Sequence, residues 1–404
     1  MPVSIRKLWF RVLYASMAHF AFRRIRVVGC SLPSNEPVLY VCLHRNGALD
    51  GAVYGQAVPH AQRTLSSQLR RGMLARMLFD GIEIVRPKDA AQDGGRASNR
   101  DAFAKCVAHL ADGGAILFFP EGTSELGPHH LKFRNGVARL IQSALARIPA
   151  LKVVALAAHY EAPTEWQSDV EVVVGAGEDF SGDLATGHIM SRITSMLESV
   201  GVDCATIEER TELEALAYAA TLGQPDIGYA QALKLLRGSE AGQMQPLWAC
   251  ARQEGLWLHQ GIPLVPARAP WLYALLWVLL MPCVLLAAAL NLPVVVLAWY
   301  APRKLADGPN VISLWRSLAG VVSAYVWVPL ASGVLLGMFG VVAALGYLAV
   351  SVTGLKSLYR WRKLSIALHN QTRASPETRR MLHRLHGGIV HLVRSRLVQD
   401  RGGA

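Results

Sequence analysis

Val38-Leu-Tyr-Val-Cys-Leu-His44-Arg-Asn-Gly-Ala-Leu-Asp50-Gly51 is the stretch on which the fold turns. Val38 to Cys42 read as a buried strand, and the run then breaks into a polar loop carrying an imidazole and a carboxylate. The pattern recurs downstream, where Ala115 to Phe119 read as a second strand that opens into Phe119-Pro-Glu121-Gly122-Thr123-Ser124. Loops at strand ends are where α/β sheets place their chemistry. A neutral imidazole titrates near working pH, and a nearby carboxylate steadies the imidazolium it becomes, so His44 and Asp50 have the makings of a general base for a hydroxyl.

Outward from these loops, Ile25 to Val28, Ile82 to Val85 and Val153 to Ala158 also read as strands, with helical patterns over Ser67 to Phe79 and Asn99 to Ala111. This alternation predicts an α/β fold, a mixed sheet covered by helices. Thr211 to Ala220 and Ala230 to Leu236 read as helices of an extension without a motif.

Hydrophobic residues make up 52 % of the 404 and charged residues only 17 %, with a mean hydropathy of +0.27. That balance is too apolar for an ordinary soluble domain and implies membrane association. A net charge of +12 suits a phosphate-bearing partner; hydropathy favours a lipid bilayer, and no nucleic acid is expected. Trp271 to Tyr300 is apolar but interrupted at Pro282 and Asn291-Leu292-Pro293, and Leu318 to Leu355 is a longer uncharged run with Pro329 and Ser332-Gly333 placed to divide it. Three or four membrane helices are expected, and an even number of crossings would put both basic ends on the cytoplasmic side. Gly333 and Gly337 match a small-xxx-small packing pattern. Ile5 to Phe22 suits an amphipathic helix in the headgroup layer, and its scattered Arg and Lys make it a poor secretory signal. The six cysteines lack metal-ligand spacing and read as buried thiols in a reducing compartment.

His44, Asp50, Gly81-Ile-Glu-Ile-Val-Arg86, Phe119-Pro-Glu-Gly122 and Val154-Ala-Leu-Ala-Ala-His159 follow one another in the order and rough spacing of the four blocks of the glycerolipid acyltransferases. The chain resembles that family, which includes glycerol-3-phosphate and 1-acylglycerol-3-phosphate acyltransferases, over about residues 25 to 165. One departure is the gap of five residues, Arg45 to Leu49, between His44 and Asp50, where most members have four; the longer gap resembles a membrane-bound branch. The resemblance implies acyl transfer from acyl-CoA or acyl carrier protein to a glycerol-phosphate hydroxyl, with acceptor contacts from Arg86, Glu121 and Gly122. Five segments are expected: a membrane-surface helix over 1–24, an acyltransferase domain over 25–180, a helical extension over 181–265, transmembrane helices over 266–355 and a basic cytoplasmic tail over 356–404.

The residues support that chemistry on their own terms. An acyl thioester is already activated, so no cofactor is needed; the acceptor hydroxyl must be made nucleophilic and an oxyanion stabilised. Guanidinium can hold two phosphate oxygens at once, which points to Arg86 and then to Arg134, near Lys132, with Thr123 as a further substrate contact. Glu121 cannot attract phosphate, so it is expected to bind a glycerol hydroxyl or an organising backbone amide, unless it simply pairs with Arg86. Ser124 lacks a nucleophile elbow. No metal is expected, since His129-His130 has no carboxylate or Cys at ligand spacing, and His159-Tyr160 reads as structural. Competing readings are an acyltransferase or transacylase on another lysolipid or acylated amino acid, a silent lipid-surface scaffold, and a transporter, the last weakened by membrane segments without charges apart from the boundary Arg316.

Overall fold

The computed structural model describes residues 5–33, 36–70, 72–85, 95–239, 242–266 and 269–402. Arg86 and the short segment after it lie outside the described residues.

Helix α1 (Ile5–Ala21) leads into strand β1 (Phe22–Gly29), followed by β2 (Val38–Cys42), α2 (Leu49–Ala57), β3 (Gln62–Ser66), α3 (Met73–Leu78) and β4 (Ile82–Ile84). Next come α4 (Gly95–Ala111), β5 (Ala115–Phe118), α5 (Gly136–Leu145), β6 (Ala150–Tyr160) and β7 (Ser168–Ser181). The seven strands form one sheet in the order β1-β7-β6-β2-β5-β3-β4. Only β6 and β7 pair antiparallel, so β1 and β7 run against the other five strands, and the expected mixed sheet is present. β2 and β5 are parallel neighbours, Val41 facing Phe118. Both motif loops therefore leave the same edge of the sheet side by side.

Two strands escape the sequence pattern. Only Thr64 of β3 is buried, so the strand shows no apolar alternation. β7 buries Glu171 among its valines. The helix expected over Ser67 to Phe79 is instead a 3-10 turn over Ser67–Arg70 and then α3. Gly72, at φ +87°, adopts a conformation no helix continues through.

One face of α1 (Phe10, Leu13, Tyr14, Met17, Ala18 and Ala21) packs into the core with residues of α2, β1, β2 and β6. Its period of three and four is that of an amphipathic helix, and each large side chain so buried contributes about 1.5–3 kcal/mol. Ile5, Leu8, Trp9 and Val12 stay exposed. The second face of the sheet carries α4, α5 and α6 (Thr186–Val200).

The extension is helical, α7 (Ile207–Thr221), α8 (Tyr229–Leu236) and α9 (Gln245–Gln253), ending in a short hairpin of β8 (Leu258–His259) and β9 (Ile262–Pro263). Four long or apolar helices follow: α10 (Pro270–Leu290), α11 (Leu292–Leu305), α12 (Ile312–Phe339) and α13 (Val341–Gln371), and then α14 (Pro376–Gly402). Among the described residues three helical stretches, Pro270–Leu290, Pro309–Phe339 and Val341–Gln371, are long and apolar enough to cross a membrane; α11, with 14 residues, is shorter than a crossing requires. The first break falls at Asn291, as the sequence implies. The second is a correction: α12 runs through Pro329, Ser332 and Gly333 and stops at Gly340, whose φ of +80° and ψ of −178° suit glycine alone.

Exposed polar groups at the Asn291 break are satisfied by side chains. Trp327 donates to the Leu290 carbonyl at 2.9 Å, Asn291 donates to Ser351 at 2.9 Å and Tyr347 donates to Asn291 at 2.8 Å. This is what a break in an apolar medium demands. α10 and α13 run antiparallel, and a Cβ on Gly354 would meet that of Ala287 at 2.3 Å. Gly333 and Gly337 have open space beside them, so the close approach falls at Gly354 and not at the glycine pair the sequence singles out.

Two further expectations are corrected. Cys42, Cys106 and Cys204 are buried, but Cys30 is exposed and Cys250 and Cys283 are only partly covered. The boundary expected at residue 355 falls inside an element, because α13 continues to Gln371, and α14 beyond it buries Ile389, Val390 and Val393 against α7, α8 and α9.

Candidate active site

The loop after β2 turns on Gly47, which has φ +57° and lets the five-residue spacer curl back on itself. Asp50 sits in the first turn of α2, and its Oδ2 accepts the backbone N–H groups of Arg45 at 2.7 Å and Asn46 at 2.8 Å. The same oxygen lies 2.9 Å from His44 Nδ1. Tyr160, at the end of β6, donates its hydroxyl to Asp50 Oδ1. Asp50 is 0 % exposed, and these donors compensate the cost of burying its charge. The longer His-to-Asp gap thus ends with the two side chains in contact.

With Nδ1 engaged, His44 has Nε2 left for a ligand, and the ring lines a cavity of about 1080 Å³. Its centroid lies 4.4 Å from that of Phe119. Tyr54 of α2 anchors the region, donating to the Leu43 carbonyl at 2.7 Å and accepting the Ala158 amide at 2.9 Å.

Glu121 does not line this cavity. Its Oε2 accepts the His44 amide at 2.6 Å and its Oε1 the Leu131 amide at 3.1 Å. Of the roles the sequence leaves open, the one seen is the organising backbone contact; both oxygens are taken by amides. Glu121 is 2 % exposed, and burial pushes its carboxyl up to about 7 against the opposing pull of those amides and of His44. Gly122 (φ +69°), Thr123 and Arg134 do line the cavity. Arg134 lies across Gly122 and donates through Nε to the Glu121 carbonyl at 3.2 Å.

Histidines outside the cavity are quieter. Burial lowers His130 and His159 to about 4, and His159 Nε2 contacts the Val200 carbonyl at 2.8 Å. Among the described residues no group of three or more His, Cys, Asp or Glu side chains is arranged to hold a metal ion.

Three contributors are not apparent in the sequence. Tyr160 reads as structural there, yet it touches Asp50. Arg63 of β3 lines the cavity, donates to the Gly51 carbonyl at 2.6 Å and lies 4.4 Å from the Tyr14 ring centroid. A Cβ on Gly55 would fall 1.9 Å from Arg63 Nη2, so the Gly51 and Gly55 face of α2 makes room for it. Leu305, Asp307, Val311, Leu314 and Trp315, from the junction of α11 and α12, close another side. Only the repeated pairing of Gly51 and Gly55 hints at the first of these walls in the sequence, and nothing hints at the last.

A base held by a buried carboxylate beside a cavity is equipped to deprotonate a bound hydroxyl, and comparison with known proteins fits that chemistry. Residues 24–157 match the family model described as Acyltransferase. They form an acyltransferase-family domain, and the protein is an enzyme of that class. Among solved structures, the chain is similar to the 1-acyl-sn-glycerophosphate (LPA) acyltransferase PlsC from Thermotoga maritima, at 14 % identity over 48 % of this chain and 78 % of that one, with a TM-score of 0.37. No curated protein matches the chain.

Proposed function

We propose that the enzyme moves a fatty acyl chain from acyl-CoA or acyl carrier protein to a hydroxyl of glycerol-3-phosphate or 1-acylglycerol-3-phosphate at a lipid surface, in phospholipid biosynthesis. His44 Nε2 takes the hydroxyl proton as the oxygen attacks the thioester carbonyl carbon, while Asp50 fixes the tautomer and steadies the imidazolium. The tetrahedral oxyanion collapses, the carbon–sulfur bond breaks, and the imidazolium returns the proton to the leaving thiolate. No acyl-enzyme and no cofactor enter this scheme.

The observation that carries the reading is the Tyr160–Asp50–His44 relay with Nε2 left for the cavity. Support for a phosphate-bearing acceptor comes from the cations around that cavity, Arg63, Arg100, Arg134 and Arg139, against Asp80 and Asp307. Arg86 is assigned to the same headgroup from its sequence block, and Gly122, Thr123 and Arg134 to acceptor contacts. Glu121 acts through the His44 and Leu131 amides.

The test is an acceptor screen. Purified full-length protein given radiolabelled acyl-CoA should acylate glycerol-3-phosphate or its 1-acyl derivative, and His44→Ala should abolish the product while His130→Ala retains it. Transfer only to acceptors without phosphate would refute the acceptor assignment and leave the relay standing.

A further inference from the structure

The strongest unassigned feature is the connection between α11 and α12, which lies far outside the family domain yet touches both motif loops. Asn310 Nδ2 donates to the Ser124 carbonyl at 2.9 Å and to the Ser124 hydroxyl oxygen at 2.8 Å. A carbonyl can only accept, so this contact fixes which end of the Asn310 amide faces Ser124. The Ser124 oxygen is therefore an acceptor toward Asn310, and its own proton remains to be donated elsewhere. Ser124 lines the cavity two residues from Gly122, over which Arg134 lies.

A second contact comes from the other motif loop. A Cβ added to Gly47 would stand 3.0 Å from the Asn310 carbonyl oxygen and 3.1 Å from Val311 Cγ1. The connection is pinned further on, where Ser313 donates to the Pro163 carbonyl at 2.5 Å and Asn46 donates to the same carbonyl at 3.3 Å. A segment held at so many points by backbone acceptors is built to stay in place.

We propose that Asn310 is a positioning residue that turns the Ser124 hydroxyl into a hydrogen-bond donor for the phosphate of the acceptor, so that the apolar helices supply a working part of the site. The proposal rests on the phosphate-bearing acceptor put forward above. Ser124 and Arg134 would then share the anion, one as a neutral donor and one as a charged donor.

Asn310→Asp is the decisive variant, because it keeps shape but replaces the amide with an acceptor. The Ser124 proton would be drawn to the new carboxylate and away from the cavity. In the full-length protein, Asn310→Asp and Ser124→Ala should each raise the acceptor KM roughly tenfold, the scale of one lost neutral hydrogen bond, and leave the KM for acyl-CoA unchanged. Adding Asn310→Asp to Ser124→Ala should raise the acceptor KM by less than it does in the wild type, since the part of its effect that runs through the Ser124 proton is already gone. Asn310→Gln should recover part of the loss.

An unchanged acceptor KM in Asn310→Asp, equal rises for both substrates, or multiplying losses in the double variant would overturn the proposal. Should Asn310→Asp not fold, Ser124→Ala still decides through titration of inorganic phosphate into the His44→Ala protein: weakened binding supports the assignment and unchanged binding ends it. A wild-type enzyme that ignores phosphate-bearing acceptors refutes the acceptor reading instead, so the two failures are distinguishable.

Discussion

At the scale of single residues, the consequences concentrate on His44. General-base assistance is worth about 10² to 10⁴ in rate, so His44→Ala should lower kcat by at least about 100-fold with little change in thermal stability, measured by thioester turnover and melting. Tyr160→Phe removes one donor from Asp50. With one anchor fewer, the carboxylate that orients His44 is held less firmly, so kcat/KM should fall about tenfold, read from steady-state thioester turnover; an unchanged kcat/KM refutes the role. Glu121 makes a stability prediction. Its folded value, raised to about 7 from 4.5, means that the folded state binds a proton the unfolded chain has released. Stability linked to this group is therefore present below about pH 4.5 and lost as pH rises toward 7. Melting temperatures of wild type and Glu121→Gln compared at pH 5 and pH 8 should show wild type losing ground at the higher pH; a constant difference refutes the shift. The sequence exposes His44 and Asp50 because the motif loops interrupt strong strand patterns. It hides Tyr160 and Arg63, since a buried tyrosine on a strand and an arginine on a half-polar one look ordinary until the chain folds.

At the scale of elements, the sheet centre was legible and its flanks were not. β2, β5 and β6 are buried on both faces and read as continuous apolar runs. β3 and β7 mix charge with β-branched residues because one side of each meets the cavity or a buried carboxylate. The membrane-type helices teach a related lesson. Pro329 stays inside α12, since proline in a helix costs a hydrogen bond but does not force a reversal, whereas Gly340 has a backbone conformation that side chains resist. Gly340→Ala should therefore destabilise the α12–α13 junction by about 1–3 kcal/mol, measured by thermal unfolding in detergent; an unchanged melting temperature refutes the strain.

At the scale of the whole molecule, the apolar helices and the catalytic domain form one connected body. The ends of α12 and α13 nearest the sheet are tied to it, Arg316 donating to the Thr164 carbonyl at 2.5 Å and Lys363 pairing with Glu161 at 2.7 Å. Gly340 lies at the other ends of these two helices, and the Asn291 break between α10 and α11 sits near it through Tyr347. We propose that the two chain ends share one side of a bilayer. A reporter fused after Ala404 is expected to read cytoplasmic, and a periplasmic or lumenal reading would contradict that topology. α14 should matter for integrity, as Val393 is 0 % exposed within the core of the extension. Val393→Asp buries an unpaired carboxylate and should lower thermal stability and protease resistance.

The wall contributed by residues 305–315 also bears on the timing of synthesis. The His44 loop leaves the ribosome about 260 residues before the segment that closes its cavity. A nascent chain that has released only its sheet has the base but not the enclosure, and water would compete freely for any thioester it met. Turnover should thus begin only after the late apolar helices have been made and seated, so that the fold itself delays the onset of activity until the polypeptide has reached its lipid environment.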